Sequence, residues 1–158
     1  MNRPATTPPA HLTVGDELRA PARVMHRERM RWYVDGLFTA RANDGKLHTG
    51  EVNIHTDDDY ARSQGLPGII ADGMISTNWI FGFLFDTFGQ EFLRRGTLRT
   101  KYIKPIVEDQ PVIAALRVRD IARAGADLRY SLDVWCEDGR GTVLTVGAAD
   151  VLLHRDRQ

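Results

Sequence analysis

"ADGMISTNWIFGFLFDTF", residues 71–88, is the stretch on which the reading of the fold turns. Met74, Ile75, Trp79, Ile80, Phe83, Leu84 and Phe88 cover much of the surface of a helix over these residues. A helix this apolar has to be wrapped by other structure. Asp72, Asn78, Asp86 and the glycines interrupt the run, which reads as a buried helix and not as a membrane span.

The second half of the chain supplies the wrap. "TLRTKYIKPIV" reads as a strand, with Pro105 marking an edge or a bulge. In "PVIAALRVRDI", Val112, Ala114, Leu116 and Val118 alternate with Arg117 and Arg119. In "ADLRYSLDVWCED", Leu128, Tyr130, Leu132, Val134 and Cys136 alternate with Arg129, Ser131, Asp133 and Glu137. "DGRG" is a hairpin turn, and "TVLTVGAADVLL" is a last strand, apolar on both faces and therefore central or covered. Short connections predict an antiparallel meander. The sum is an α+β architecture, a curled antiparallel sheet around one long apolar helix.

Upstream of that helix the chain is helical or irregular. "LTVGDEL" is a short opening segment with a Gly-Asp turn, and "PARVMH" reads as a strand. A helix follows in "RERMRWYVDGLFTARAND", with Met30, Tyr33, Val34, Leu37 and Phe38 as a one-sided stripe. Thr56 is placed to cap a second, short helix, "DDDYARSQG", whose aspartates sit at its positive end and whose Gly65 stops it.

With 158 residues the chain fits one domain over 12–158, preceded by a loose, proline-containing arm over 1–11 that lacks the apolar centre of a signal peptide. Apolar residues make up 42%, and 21 basic residues balance 21 acidic ones, so no overall field draws in nucleic acid or an anionic membrane. The lone Cys136 has no partner for an internal disulfide, which fits a reducing cytoplasm.

Four segments in order, "LTVGDEL", "NIHTDDDYARSQGLPGIIADGM", "GTLRTKYIKPIVEDQPV" and "DGRGTVLTVGAADVLL", give the chain a resemblance to the MaoC-like hot-dog proteins over roughly residues 12–154. The best-known members are (R)-specific enoyl-thioester hydratases and dehydratases. The resemblance implies a hot-dog fold, a lyase adding water reversibly across a trans-2-enoyl thioester, an acyl-CoA or acyl-carrier substrate and no cofactor or metal. It also implies a homodimer or higher homo-oligomer, or pairing with a related hot-dog subunit. The family's active-site motif is Asp-x-Asn-Pro-x-His, followed by His-Gly-Met. This chain reads "GEVNIH" and "ADGM": the proline is missing, the segment is one residue shorter, and Asp72 stands where the family has His. With the gap placed at the proline, Glu51, Asn53 and His55 fall on the family's Asp, Asn and His.

Hydration of an enoyl thioester needs an acid–base group for water and the α-carbon, and a donor for the enolate-like oxygen. His55 and Glu51 are the expected acid–base residues, with Asn53 orienting their loop. The Gly73 N–H, at a helix start, is the expected oxyanion donor. Asp72 is either the helix N-cap or a carboxylate facing His55. Asp72 and Met74 flank Gly73 and, with Trp79 and Arg99, make up the expected substrate contacts: bulky Trp79 and its neighbours Phe81, Phe83 and Phe85 would shorten an acyl tunnel, and Arg99, with Arg94, Arg95 and Lys101, would meet phosphates. The alternatives are a hot-dog thioesterase and a catalytically degenerate acyl-binding or partner subunit, which the altered motif would suit.

Overall fold

The computed structural model describes residues 12–154, so the arm over 1–11 and the last four residues lie outside the described residues. In chain order the elements are β1 (Glu17–Arg19), β2 (Arg23–Val24), α1 (Arg27–Ala42), α2 (Asp58–Ser63), α3 (Gly73–Phe88), α4 (Gln90–Arg95), β3 (Thr97–Tyr102), β4 (Pro111–Ala124), β5 (Asp127–Asp138) and β6 (Val143–His154). One antiparallel sheet runs β1-β4-β5-β6-β3, with β2 also on β4, and α3 packs on its inner face.

α3 is the expected central helix, starting two residues later than the apolar run. Asp72 is its N-cap and accepts the Met74 N–H at 2.8 Å. Ile75, Ile80, Leu84 and Phe88 are buried together with Leu116, Leu132 and Val134 of the sheet. Each such side chain contributes about 1.5–3 kcal/mol on leaving water. The alternation read from β4 and β5 holds: Val112, Ala114, Leu116 and Val118 face the core, as do Tyr130, Leu132, Val134 and Cys136. Asp138 accepts the Gly141 N–H and donates its own to Thr142 at the hairpin, where Gly141 takes a φ of 80°.

Three expectations need correction. The meander covers only β4, β5 and β6; β3 pairs with β6 at the other edge. The far side of β4 is already filled by β1 and β2, so the chain from β3 crosses beneath the start of α3 on its way to β4. There Ile106 accepts the Ala71 N–H at 2.8 Å and Val107 bridges to Ile70. The apolar stripe of α1 is buried only in its first half, at Met30 and Val34; Leu37 is exposed because neither α3 nor the sheet extends beneath it. The cap of α2 is Asp57, which accepts the Tyr60 N–H at 2.7 Å. Thr56 is occupied otherwise, its hydroxyl donating to the Glu51 carbonyl and accepting the Asn53 N–H at 3.3 Å.

Candidate active site

The loop over residues 51–57 is a short Asx-type turn built on Asn53. Its side-chain oxygen accepts the His55 N–H at 2.8 Å, and its amide donates to the Glu51 carbonyl at 3.0 Å. This presents His55 to the segment before α3. His55 Nδ1 lies 2.8 Å from the Ile70 carbonyl oxygen. A carbonyl can only accept, so Nδ1 carries the proton and Nε2 of the neutral ring is the acceptor nitrogen. Ile70 is fixed in turn, its N–H bonded to the Ile54 carbonyl at 3.0 Å.

His55 opens onto a cavity of about 320 Å³ shared with Gly73 and Ser76 of α3, Thr145 of β6, Tyr102 at the end of β3, and the 103–106 crossing. Most of the wall is apolar: Leu66, Ile70, Ala71, Ile103, Pro105 and Ile106 contribute, and Lys104 is the cation on it. Gly73 is the first residue of α3, so the helix offers its N–H no acceptor. Its lack of a side chain is used: a Cβ there would stand 2.6 Å from the Tyr102 ring. That ring is held by its hydroxyl, 3.0 Å from Thr77 Oγ1 and 3.2 Å from the Met74 sulfur, and Thr77 also meets Thr100 at 2.8 Å. Buried Ser76 donates to the Gly73 carbonyl at 2.7 Å. Its single proton is thereby used, so Thr145, 2.9 Å away, donates to it.

No family model and no curated protein matches the chain. Solved structures do. The (R)-hydratase PhaJ1 of Pseudomonas aeruginosa superposes with a TM-score of 0.66 at 18% identity, over 94% of this chain and 86% of that one. A MaoC-like dehydratase from Rhodospirillum rubrum gives 0.67 at 18%, over 91% and 94%. The ChsH1–ChsH2 complex of Mycobacterium tuberculosis gives 0.63 at 15%, over 92% and 100% of the matched chain. The chain has the hot-dog fold of the MaoC-like dehydratases.

Within this hot-dog fold the expected site residues separate into two groups. His55 and Gly73 line one cavity, and Asn53 shapes the loop that carries His55. Asp72 serves as the N-cap. Met74 is exposed beside Tyr102. Glu51 is exposed, its carbonyl and not its carboxylate engaged in the turn, and it is not among the residues lining the cavity. Trp79 is buried in the core with the guanidiniums of Arg23 and Arg29 over its ring, at 5.9 and 5.6 Å. Phe81 packs on Phe92 of α4, so neither ring walls the cavity. Strand alternation sends Thr100 and Tyr102 towards α3, and Arg99 and Lys101 to the opposite face of β3. Arg94 and Arg95 lie on α4, beyond the C-terminal end of α3, and are not among the residues lining the cavity. Arg95 is paired with Asp127 there.

Tyr102, Ser76, Thr145 and Lys104 are the residues that sequence reasoning missed. Ser76 left a trace, as a hydroxyl near the start of a mostly apolar helix. The others come from β3, β6 and the crossing, and only the long-range pairing of β3 with β6 brings them together. Among the described residues no cluster of His, Cys, Asp or Glu is arranged to hold a metal ion, and no helix is long and apolar enough to cross a membrane.

Proposed function

We propose that the protein is an enoyl-thioester hydratase, a lyase that adds water reversibly across a trans-2-enoyl-CoA or carrier-bound acyl group. The observation that carries this reading is that His55 and Gly73 open onto one small, mainly apolar cavity, with the proton of His55 held on Nδ1 by Ile70. Nε2 accepts a proton from water as its oxygen bonds to C3. The C2=C3 π electrons move to C2 and onto the thioester oxygen, where the Gly73 N–H stabilises the developing charge. The imidazolium then returns its proton to C2 on the same face, which completes a syn addition with one group acting as base and then acid. In this reading Lys104, on the cavity wall, serves the polar end of the thioester.

The active form in this reading is a homodimer or larger homo-oligomer. β3 ends the sheet, and Met74, Phe81, Tyr102 and Ile103 expose apolar surface beside it, which a second copy would cover. The buried, unpaired Cys136 fits a cytoplasmic setting.

One observation favours a second reading, that of a catalytically degenerate acyl-binding subunit working with a related hot-dog partner. No carboxylate is among the residues lining the cavity, since Glu51 faces solvent and Asp72 is spent on capping. The experiment offers the pure protein a panel of short, branched and medium trans-2-enoyl-CoAs, and follows enoyl absorbance and free thiol together. Loss of enoyl without thiol is the hydratase result. Thiol release would make it a thioesterase. Binding of acyl-CoA without turnover would move the reading to the partner subunit.

A further inference from the structure

We infer that Arg27 is a positioning residue for His55, acting through the short bridge that carries the Ile70 carbonyl. This inference rests on the reading of His55 as the acid–base group, and deepens it. The tautomer of His55 depends on the Ile70 carbonyl, yet Ile70 belongs to no helix or strand. It is held in an isolated bridge to Val107, between the segment before α3 and the crossing from β3 to β4.

One guanidinium spans both sides of that bridge. On the first side, Arg27 Nη1 donates to Asp58 Oδ2 at 2.7 Å, and Asp58 Oδ1 accepts the N–H of Ile69, next to Ile70, at 3.0 Å. On the second side, Arg27 Nε donates to Glu108 Oε1 at 2.8 Å and Nη2 to Oε2, and Glu108 is next to Val107. All three side chains are about two-thirds or more buried, so the contacts are only partly screened. Hydrogen bonds from Arg27 hold both carboxyls below their ordinary range.

Without the guanidinium, two carboxylates of like charge would face each other from opposite sides of the bridge. Their repulsion would part the Ile69–Ile70 and Val107–Glu108 backbones and withdraw the carbonyl that keeps the proton on Nδ1. A free histidine side chain carries its proton mainly on Nε2, so the consequence is visible in the ring itself. Lysine should not substitute, because a single ammonium cannot grip two carboxylates along separate directions as the fork does.

The test is long-range proton–nitrogen correlation NMR of the histidine rings in ¹⁵N-labelled protein at about pH 8.5, two units above the ordinary histidine pKa. His55 is assigned from the spectrum of His55→Gln. The wild-type ring is expected as the Nδ1–H tautomer. Arg27→Met is expected to shift it to a mixture in which Nε2–H predominates. Arg27→Lys is expected to do the same in large part, and adding Glu108→Gln to Arg27→Met, which removes the repulsion, to recover part of the Nδ1–H form. Should Arg27→Met fail to fold, Arg27→Lys alone makes the same test, with a smaller shift expected. In enoyl-CoA turnover, Arg27→Met is expected to lose about 10–100-fold in kcat with little change in KM. A folded Arg27→Met, or Arg27→Lys in its place, with the His55 ring unchanged overturns the inference, whatever the activity. A shifted tautomer in a protein that turns over no enoyl-CoA would instead sink the hydratase reading and leave the positioning role standing.

Discussion

Alanine at position 73 tests the packing at the head of α3. Its methyl carbon would lie 2.6 Å from Cδ2 and Cε2 of Tyr102 and 2.8 Å from Cζ. Non-bonded carbons settle at about 3.5–4.0 Å, so the ring has to retreat by about 1 Å. Retreat stretches its bonds to Thr77 Oγ1 and the Met74 sulfur. The backbone adds no penalty, since Gly73 is not among the residues with positive φ. An added methyl in a filled site costs about 1–3 kcal/mol. Tyr102 is half-exposed and has somewhere to go, which puts Gly73→Ala at about 1–2 kcal/mol. Tyr102→Ala removes the obstacle, so the double variant is expected to be more stable than the sum of the singles by about 1 kcal/mol. Urea denaturation of the four proteins measures this. With a slope of about 1–3 kcal/mol per molar, the midpoint of Gly73→Ala should fall by about 0.5–1 M. Additive costs, to within about 0.3 kcal/mol, would refute the reasoning.

Three further outcomes follow from the same structure. Leu84→Ala, at a fully buried position in the middle of α3, is expected to cost about 3–5 kcal/mol by the same denaturation assay, a range set by the cavity left behind. Arg95, and after it His154, hold the Asp127 carboxyl down to about 2 against an ordinary 3.8. A depressed carboxyl contributes stability that is complete above 3.8 and is lost as pH falls towards 2, so Arg95→Met is expected to flatten the acid limb of a pH–stability profile over that window. Burial pushes the Cys136 thiol up to about 12, and native protein is expected to react with an aromatic disulfide reagent only as fast as it unfolds.

The central helix was legible because a run as apolar as residues 71–88 has no stable place but the interior. β4 and β5 were legible because arginines and acids alternate with apolar side chains at the period of a strand. The partner of β3 was not: its own sequence suits either edge, and what decides is that β1 and β2 already fill the outer side of β4. The stripe on α1 misled in its second half for a related reason, since periodicity reports which face could be buried and not whether anything lies beneath it. At the candidate site, His55 and Gly73 were legible together through the resemblance, and the hydrogen bonds of Ile70 to Ile54 and His55 are what bring their segments together. Glu51 matched the family's Asp only across a one-residue gap, and its side chain is exposed while the turn at Asn53 engages its carbonyl. Tyr102 and Arg27 left no local signature. Arg27 meets Asp58 and Glu108 at separations of 31 and 81 residues, which no spacing rule reaches.

The central claim is that the Nε2 of His55 moves the proton in enoyl-thioester hydration. The measurement that tests it most directly is kcat/KM for hydration of the best trans-2-enoyl-CoA, for wild type beside a folded His55→Ala. The account predicts enoyl loss without thiol release in the wild type, and a fall of about 10²–10⁴-fold in the variant. A variant that hydrates the enoyl group as fast as the wild type would contradict it.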